Sequence, residues 1–264
     1  MKVILFCGGL GMRLRDAENT PKPMVHIGAR PLLWHVMKYY AHFGHKDFIL
    51  CLGHGANAIK NYFLNYNECV SNDFVLSGSA KNLQLLSSDI DDWRITFVDT
   101  GVNANIGQRL RAVQPFVEGE TEFLANYSDG LTDLHLPDQL DDFRRQGKVA
   151  SFMCVRPNLS YHVVSLQQGT RLVEGIRPIN DGEVRVNGGF FVFRKELFEY
   201  MRDGEELVEQ PFNRLVADRQ LVGFPYDGFW ASMDTFKDLQ RLEALYSACD
   251  APWEVWKPRP RGRR

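Results

Sequence analysis

The sequence has 264 residues, 44% of them hydrophobic, and a formal net charge of −2. That is enough apolar material for one large core, and the near-balanced charge gives no global pull toward nucleic acid. No stretch approaches membrane-spanning length, the N-terminal apolar run is too short for a signal peptide, and the five cysteines (Cys7, Cys51, Cys69, Cys154, Cys249) are odd in number and scattered, so a soluble cytoplasmic protein with unpaired thiols is expected.

Val3 to Cys7 is a short apolar run suited to a strand buried on both faces. Gly8, Gly9 and Gly11 follow at once, then the cations Arg13 and Lys22, with Lys22 bracketed by Pro21 and Pro23. A glycine cluster after a strand lets backbone N–H groups approach a ligand that side chains would block, and the two prolines stiffen the chain around the lysine. Strand, bare amides and fixed cations together describe a phosphate site. A plain Gly-rich turn with solvated basic residues is the alternative that these residues leave open. The P-loop pattern is absent, and the dinucleotide fingerprint fails because Leu14 stands where its third glycine belongs.

Further on, a helix is predicted over Pro31–Phe43, a strand over Phe48–Leu52 and a helix over Ala56–Tyr66. Residues 70–92 read as a hairpin insertion. A strand over Trp93–Val98 ends in Asp99-Thr-Gly, a helix spans Gly107–Phe116, and a strand over Glu122–Tyr127 ends in Ser128-Asp129-Gly130. The alternation of strand and helix predicts an α/β fold, a Rossmann-like mostly parallel sheet flanked by helices. The Gly8 loop, Asp99-Thr-Gly and Ser128-Asp129-Gly130 all fall at carboxyl ends of strands, where such sheets bind ligands.

The second half continues with a helix over Leu136–Gln146 and a strand over Val149–Val155. Shorter strands over His162–Leu166, Arg171–Ile176 and Arg185–Phe193 predict a smaller antiparallel patch beside the main sheet. Helices are expected at Lys195–Met201 and Gln210–Asp218, a strand at Leu221–Pro225, and a last helix from Phe236 to about Ser247 with Thr235 as its N-cap. The boundaries expected are one domain over 1–256, with a nucleotide part to about 150, an acceptor part over 151–235 and a C-terminal helix and segment over 236–256. The basic tail 257–264 is expected to be disordered. The segment Trp253–Trp256 either docks on a neighbouring subunit or folds back on its own.

Asp129 and Asp234 each end an apolar strand-like run beside small residues. Two such carboxylates suit Mg²⁺, a hard cation that binds through one or two aspartates plus substrate phosphates. The competing readings are a turn-capping aspartate before Gly130 and charge compensation at a helix N-terminus. Asp99 and Asp133 are weaker candidates, read as structural.

Gly-Gly-Leu-Gly-Met-Arg-Leu followed by Pro-Lys-Pro-Met resembles the signature of the sugar-1-phosphate nucleotidyltransferases. Within them the chain looks like the glucose-1-phosphate cytidylyltransferases. The likeness runs through Leu33-Trp-His-Val-Met-Lys, Val98-Asp-Thr-Gly, Arg109-Leu-Arg-Ala-Val, Asn187-Gly-Gly-Phe-Phe-Val, Gly228-Phe-Trp-Ala-Ser-Met-Asp-Thr and Ala251-Pro-Trp-Glu-Val-Trp. The resemblance implies the nucleotide-diphospho-sugar transferase fold and in-line attack of a sugar-1-phosphate oxygen on the α-phosphorus of CTP. It implies Arg13 on the leaving pyrophosphate, Lys22 on the α-phosphate and the incoming phosphate, and Mg²⁺ on Asp129 and Asp234. The nucleotide would lie against Leu5, Gly8, Gly9, Leu10, Gly11 and Met12, with Thr100, Arg109 and Ser128 also on it and Arg109 near the cytosine. His162, Arg177, Asn187 and Trp230 would face the acceptor. The partners implied are CTP or another NTP, a sugar 1-phosphate and further copies of the chain, with neither nucleic acid nor membrane.

The chain also departs from the family's pattern. Ser128-Asp129-Gly130 stands for Gly-Asp-Gly. Ser160-Tyr161-His162 stands for Arg-Phe-Gly, so a histidine fills space near the sugar. Ile176-Arg177-Pro178 stands for Glu-Lys-Pro, which replaces a phosphate-gripping lysine by an arginine of different geometry. An acceptor other than glucose 1-phosphate is therefore an open expectation. A non-catalytic nucleotide or sugar-phosphate binder is the reading from another class, favoured by His162 and Ile176 and opposed by Arg13, Lys22, Asp129 and Asp234.

Overall fold

The computed structural model describes residues 1–9, 20–157 and 161–257. In chain order the strands are β1 (Lys2–Phe6), β2 (His26–Ile27), β3 (Arg30–Pro31), β4 (Asp47–Leu52), β5 (Phe74–Ser77), β6 (Asn82–Leu85), β7 (Arg94–Asp99), β8 (Glu122–Tyr127), β9 (Gly130–Thr132), β10 (Ala150–Val155), β11 (His162–Leu166), β12 (Val173–Pro178), β13 (Val186–Asn187), β14 (Phe191–Arg194), β15 (Leu221–Tyr226) and β16 (Trp230–Ser232). The α-helices are α1 (Leu32–His42), α2 (Ala56–Leu64), α3 (Ile106–Ala112), α4 (Leu136–Gln146), α5 (Gln210–Ala217) and α6 (Phe236–Ser247).

The central sheet runs β13-β10-β14-β8-β1-β4-β7, with β15 also paired to β10. β8, β1, β4 and β7 are mutually parallel, and β15 is parallel to β10, whereas β14 joins β8 and β10 antiparallel. This is the mostly parallel α/β sheet that the alternation predicts. β1 explains its own sequence. Val3 and Leu5 point into a core with α1, α2, α4 and α6, while Ile4 and Phe6 point into a second core with α3 and α5. A strand covered on both faces has no polar side, so it reads as one apolar run. Burial of each such side chain contributes about 1.5–3 kcal/mol.

Several boundaries differ from the sequence reading, each for a local reason. The helix expected over Gly107–Phe116 is α3 followed by a separate 3₁₀ turn, Gln114–Phe116, because Pro115 has no N–H to continue the ladder. Lys195–Tyr200 is 3₁₀ rather than α. The strand expected over Arg185–Phe193 is two strands, β13 and β14, and both belong to the main sheet rather than to a separate patch. The break lies at Gly188-Gly189, where Gly189 has φ +78° and the Phe190 N–H donates to Asn126 Oδ1 at 2.9 Å. Of the strands expected in that patch, β11 and β12 pair antiparallel with each other apart from the main sheet, and β5–β6 form the hairpin expected within 70–92. The segment after α6 folds back on its own chain. Trp253 is buried and its Nε1–H donates to His35 Nδ1 at 3.3 Å. Among the described residues no helix is long and apolar enough to cross a membrane. The tail 258–264 lies outside the described residues.

Candidate active site

Parallel strands bring their carboxyl ends to one edge. Gly8 after β1, Gly53 after β4, Thr100 after β7 and Ser128 after β8 therefore meet there. Arg109, reaching up from α3 and almost wholly buried, ties these ends together. Its Nη1 donates to Leu52 O at 3.0 Å and to Thr100 Oγ1 at 2.7 Å, and its Nη2 donates to Gly8 O at 2.9 Å. Thr100 Oγ1 donates in turn to Leu52 O, and Ser128 Oγ donates to Phe6 O at 2.9 Å. Gly8 has no space for a side chain, because a Cβ would overlap the Arg109 guanidinium. Leu5 is fully buried in β1. Cys7, whose thiol burial pushes up to about 12, is an inert neighbour rather than a nucleophile. Arg13, Leu10, Gly11 and Met12 lie outside the described residues.

Lys22, Asp129 and Asp234 come together at this edge. Lys22 Nζ donates to Asp129 Oδ2 at 2.6 Å and to Asp234 Oδ1 at 2.7 Å. Burial alone would lower the Lys22 pKa, but the two carboxylates, Asp129 first, outweigh it and hold the ammonium above its ordinary value. The turn that presents Lys22 is a 3₁₀ turn, Lys22–Met24, with Pro21 as its N-cap and Pro23 inside it. The aspartates, far apart in sequence, meet through a short antiparallel ladder in which β9 pairs β16 with Gly130 opposite Ser232. The Met233 N–H donates to Asp129 O at 3.1 Å, which fixes Asp129 beside Asp234. Ser232 Oγ donates to Asp234 Oδ2 at 2.7 Å and aims that carboxylate. Thr235 caps α6 through a capping box with Asp238. Asp133 accepts from Tyr226 OH and from Phe229 N, and so anchors the loop leading into β16.

Asn187 lies on β13 and Trp230 on β16, two residues before Ser232. Trp230 Nε1–H donates to Gly188 O at 2.9 Å, and Asn187 Nδ2 donates to Tyr127 OH at 3.4 Å. His162 and Arg177 are exposed on the β11–β12 pair, where His162 lies opposite Pro178 and Arg177 opposite Val163. No hydrogen bond among the described residues ties either one to Lys22, Asp129 or Asp234. Ser232, Asp133 and Tyr226 position the site, and the sequence reading does not single out Ser232 or Tyr226. A hydroxyl two residues before Asp234 was the available signal for Ser232.

Chemically the group is two hard-oxygen donors already closed on one cation, beside backbone ends and an arginine clamp. It can bind cationic charge and, once Lys22 turns, anionic phosphate.

No family model matches the chain. It is 35% identical over 259 residues to a glucose-1-phosphate cytidylyltransferase of Salmonella typhi, a match that covers 97% of this chain and 100% of the relative. It is 34% identical, with the same coverage, to a glucose-1-phosphate cytidylyltransferase of Salmonella typhimurium. In three dimensions it is similar to a UTP-bound UGPase from Acinetobacter baumannii, with TM-score 0.65 and 16% identity over 93% of this chain and 92% of that one, a likeness of fold.

Proposed function

The chain belongs to the glucose-1-phosphate cytidylyltransferase family of sugar-1-phosphate nucleotidyltransferases, and on that premise we propose that it joins a sugar 1-phosphate to CTP. A phosphate oxygen of the sugar 1-phosphate attacks the α-phosphorus, the bond from that phosphorus to the bridging oxygen breaks, and pyrophosphate leaves with the bonding pair. The product is a CDP-sugar. No covalent enzyme intermediate is required, so catalysis is positioning and charge neutralisation.

The observation that carries this reading is the convergence of Lys22 with Asp129 and Asp234 at the carboxyl edge of the parallel strands. Lys22 would steady the α-phosphate and the incoming phosphate, and Arg13 would balance the departing pyrophosphate. Gly8 and Gly9 would present bare backbone to the nucleotide, with Leu5, Thr100 and Ser128 behind them. Arg109 would serve the base side by holding the Gly8 and Thr100 ends in register. Asn187 and Trp230 would meet the sugar.

The donor set fits magnesium. Among the described residues the protein offers two carboxylates rather than a cluster of three or more metal-binding side chains, and Mg²⁺ characteristically takes one or two carboxylates and fills its shell with water and substrate phosphates. Asp129 and Asp234 would hold it, and the chemistry it supplies when bound is Lewis-acid neutralisation of phosphate oxygens.

A second reading concerns the acceptor alone. His162 and Arg177 both stand on an exposed pair of strands, and a histidine with a guanidinium fork favours an acceptor that is not glucose 1-phosphate. The five unpaired cysteines favour a reducing cytoplasm as the working compartment, and further copies of the chain are the proposed protein partner.

Incubation with CTP, Mg²⁺ and a panel of sugar 1-phosphates, followed by pyrophosphate release, tests the reaction. Release with glucose 1-phosphate supports the family's acceptor, and release only with another sugar supports the second reading. No release with any acceptor or any NTP would overturn the transferase assignment. Thermal shift with each NTP reads base preference, since bound ligand raises apparent stability.

A further inference from the structure

Lys22 is given two tasks that compete in space. In the reaction it steadies phosphate, whereas in the structure its ammonium spans Asp129 Oδ2 and Asp234 Oδ1 at 2.6 and 2.7 Å. A divalent cation held by the same two carboxylates needs the approach that the ammonium takes. We propose that Lys22 is the resident counter-ion of this carboxylate pair: a divalent cation binds Asp129 and Asp234 by displacing the Lys22 ammonium, and the displaced ammonium is the one that meets the substrate phosphates. The inference rests on the reading of Asp129 and Asp234 as the metal pair and adds the order of events around them.

The surroundings are built for such an exchange. The lysine backbone is fixed, with Pro21 at φ −65° and ψ 140°, Met24 N–H on Pro21 O at 2.7 Å, and Pro23 and Met24 buried. The four-carbon stem is the part left to move. The carboxylates stay aimed when the lysine leaves. Asp234 is held by Ser232 Oγ, and Asp129 is held in register by the Met233 N–H on its carbonyl. Two half-buried carboxylates side by side repel one another, so a cation is required between them at every stage, lysine before the metal and metal afterwards. The consequence is coupling. Competition from Lys22 weakens metal binding by the free protein. Nucleotide phosphates offer the ammonium another partner and so strengthen metal binding, and by linkage the metal strengthens nucleotide binding equally.

The test uses Mn²⁺ as the probe, with free Mn²⁺ followed by EPR in the full-length protein without and with CTP. Lys22→Met, which keeps the stem and removes the charge, should bind Mn²⁺ at least tenfold more tightly than wild type without CTP, and CTP should tighten its binding less than it does for wild type. Unchanged or weaker Mn²⁺ binding by Lys22→Met overturns displacement and leaves the metal pair intact. If neither protein binds Mn²⁺ with or without CTP, both displacement and the metal assignment fail. A measurement on wild type stands apart from the folding of that variant. With ε-¹³C-labelled lysine, the Lys22 signal, assigned by its absence in Lys22→Arg, should move on saturation with Mg²⁺. A signal that stays fixed through saturation overturns the proposal.

Discussion

A Cβ on Gly8 would overlap the Arg109 guanidinium, and that guanidinium is held by Leu52 O, Thr100 Oγ1 and Gly8 O. Gly8→Ala therefore has to push aside a side chain that three strand ends hold in place, and the expected cost is about 1–3 kcal/mol of stability. Arg109→Ala removes one donor each from the carbonyls of Gly8 and Leu52, which keep the His54 and Thr100 N–H groups, and empties the buried space of the guanidinium, at a similar cost. In the double variant the clash is gone, so chemical denaturation should give a loss smaller than the sum of the single losses by more than 0.5 kcal/mol. Strict additivity would mean that the two residues do not meet. Ser232 acts at the same scale but on the reaction. Its hydroxyl holds Asp234 Oδ2 at 2.7 Å, and Ser232→Ala should lower kcat roughly 10- to 100-fold, the range expected when one hydrogen bond to a charged group is lost, while thermal unfolding stays near wild type. A kcat equal to wild type would remove Ser232 from the positioning of Asp234.

The long elements were legible because their burial is simple, and the short ones were not. β1, β4 and β8 are covered on both faces and announce themselves as apolar runs, and α6 carries its own capping box. β9 and β16 have three residues each, too few for any period to show, yet their ladder is what joins Asp129 to Asp234. From sequence those aspartates could be paired by their place at the ends of apolar runs and by the family resemblance, but the ladder that joins them could not be seen. The split between β13 and β14 was hidden for another reason. It is imposed by Asn126 on β8, distant in the chain, whose Oδ1 takes the Phe190 N–H. The C-terminal segment shows the same dependence on a remote partner, and it carries a pH signature. His35 on α1 is wedged against Trp253 and Trp256, with Nε2 on Ile27 O at 3.0 Å. Because Trp253 Nε1–H donates to Nδ1, the ring is neutral with its proton on Nε2. Burial holds its pKa down to about 4. The unfolded chain takes up that proton near 6.5 while the folded site refuses it, so the contribution is full above 6.5 and is lost as pH falls toward 4. His35→Gln should flatten the acid limb of the stability profile in that window by roughly 3 kcal/mol, read by urea unfolding at a series of pH values. An acid limb with the wild-type slope would show that His35 is not the group refusing the proton.

At the scale of the whole molecule, the two freestanding strand pairs are the features that a single copy leaves unexplained. In β5–β6, Phe74 faces Leu85 and Leu76 faces Leu83, and Leu76 and Leu83 are each 52% exposed. In β11–β12, Val164 faces Ile176, which is 65% exposed, and Leu166 faces Val173. An isolated two-stranded sheet is marginal in water, and an apolar face left open on one adds a cost that folding does not recover. A second copy of the chain is the occupant that the proposed homo-oligomer supplies. The two apolar faces are different surfaces, so contact between one pair and the other on a neighbour would be head-to-tail, and it would have to close into a ring to stay soluble. Arg177 lies opposite Val163, one residue along from the apolar Val164–Ile176 pair, so it falls on the other side of the strands, the side the proposed acceptor would use. Sedimentation velocity at micromolar concentration should show an oligomer. The double variant Val164→Lys with Ile176→Lys should shift it toward monomer, because each added ammonium would have to be buried without a partner. If assembly also orders these strands, the same variant should raise the KM for the acceptor sugar phosphate while leaving that for CTP close to wild type, since the nucleotide edge at Gly8, Leu52 and Thr100 is held by Arg109 within one chain. A wild-type chain that sediments as a monomer, or a double variant that assembles as wild type does, would rule out these faces as the interface.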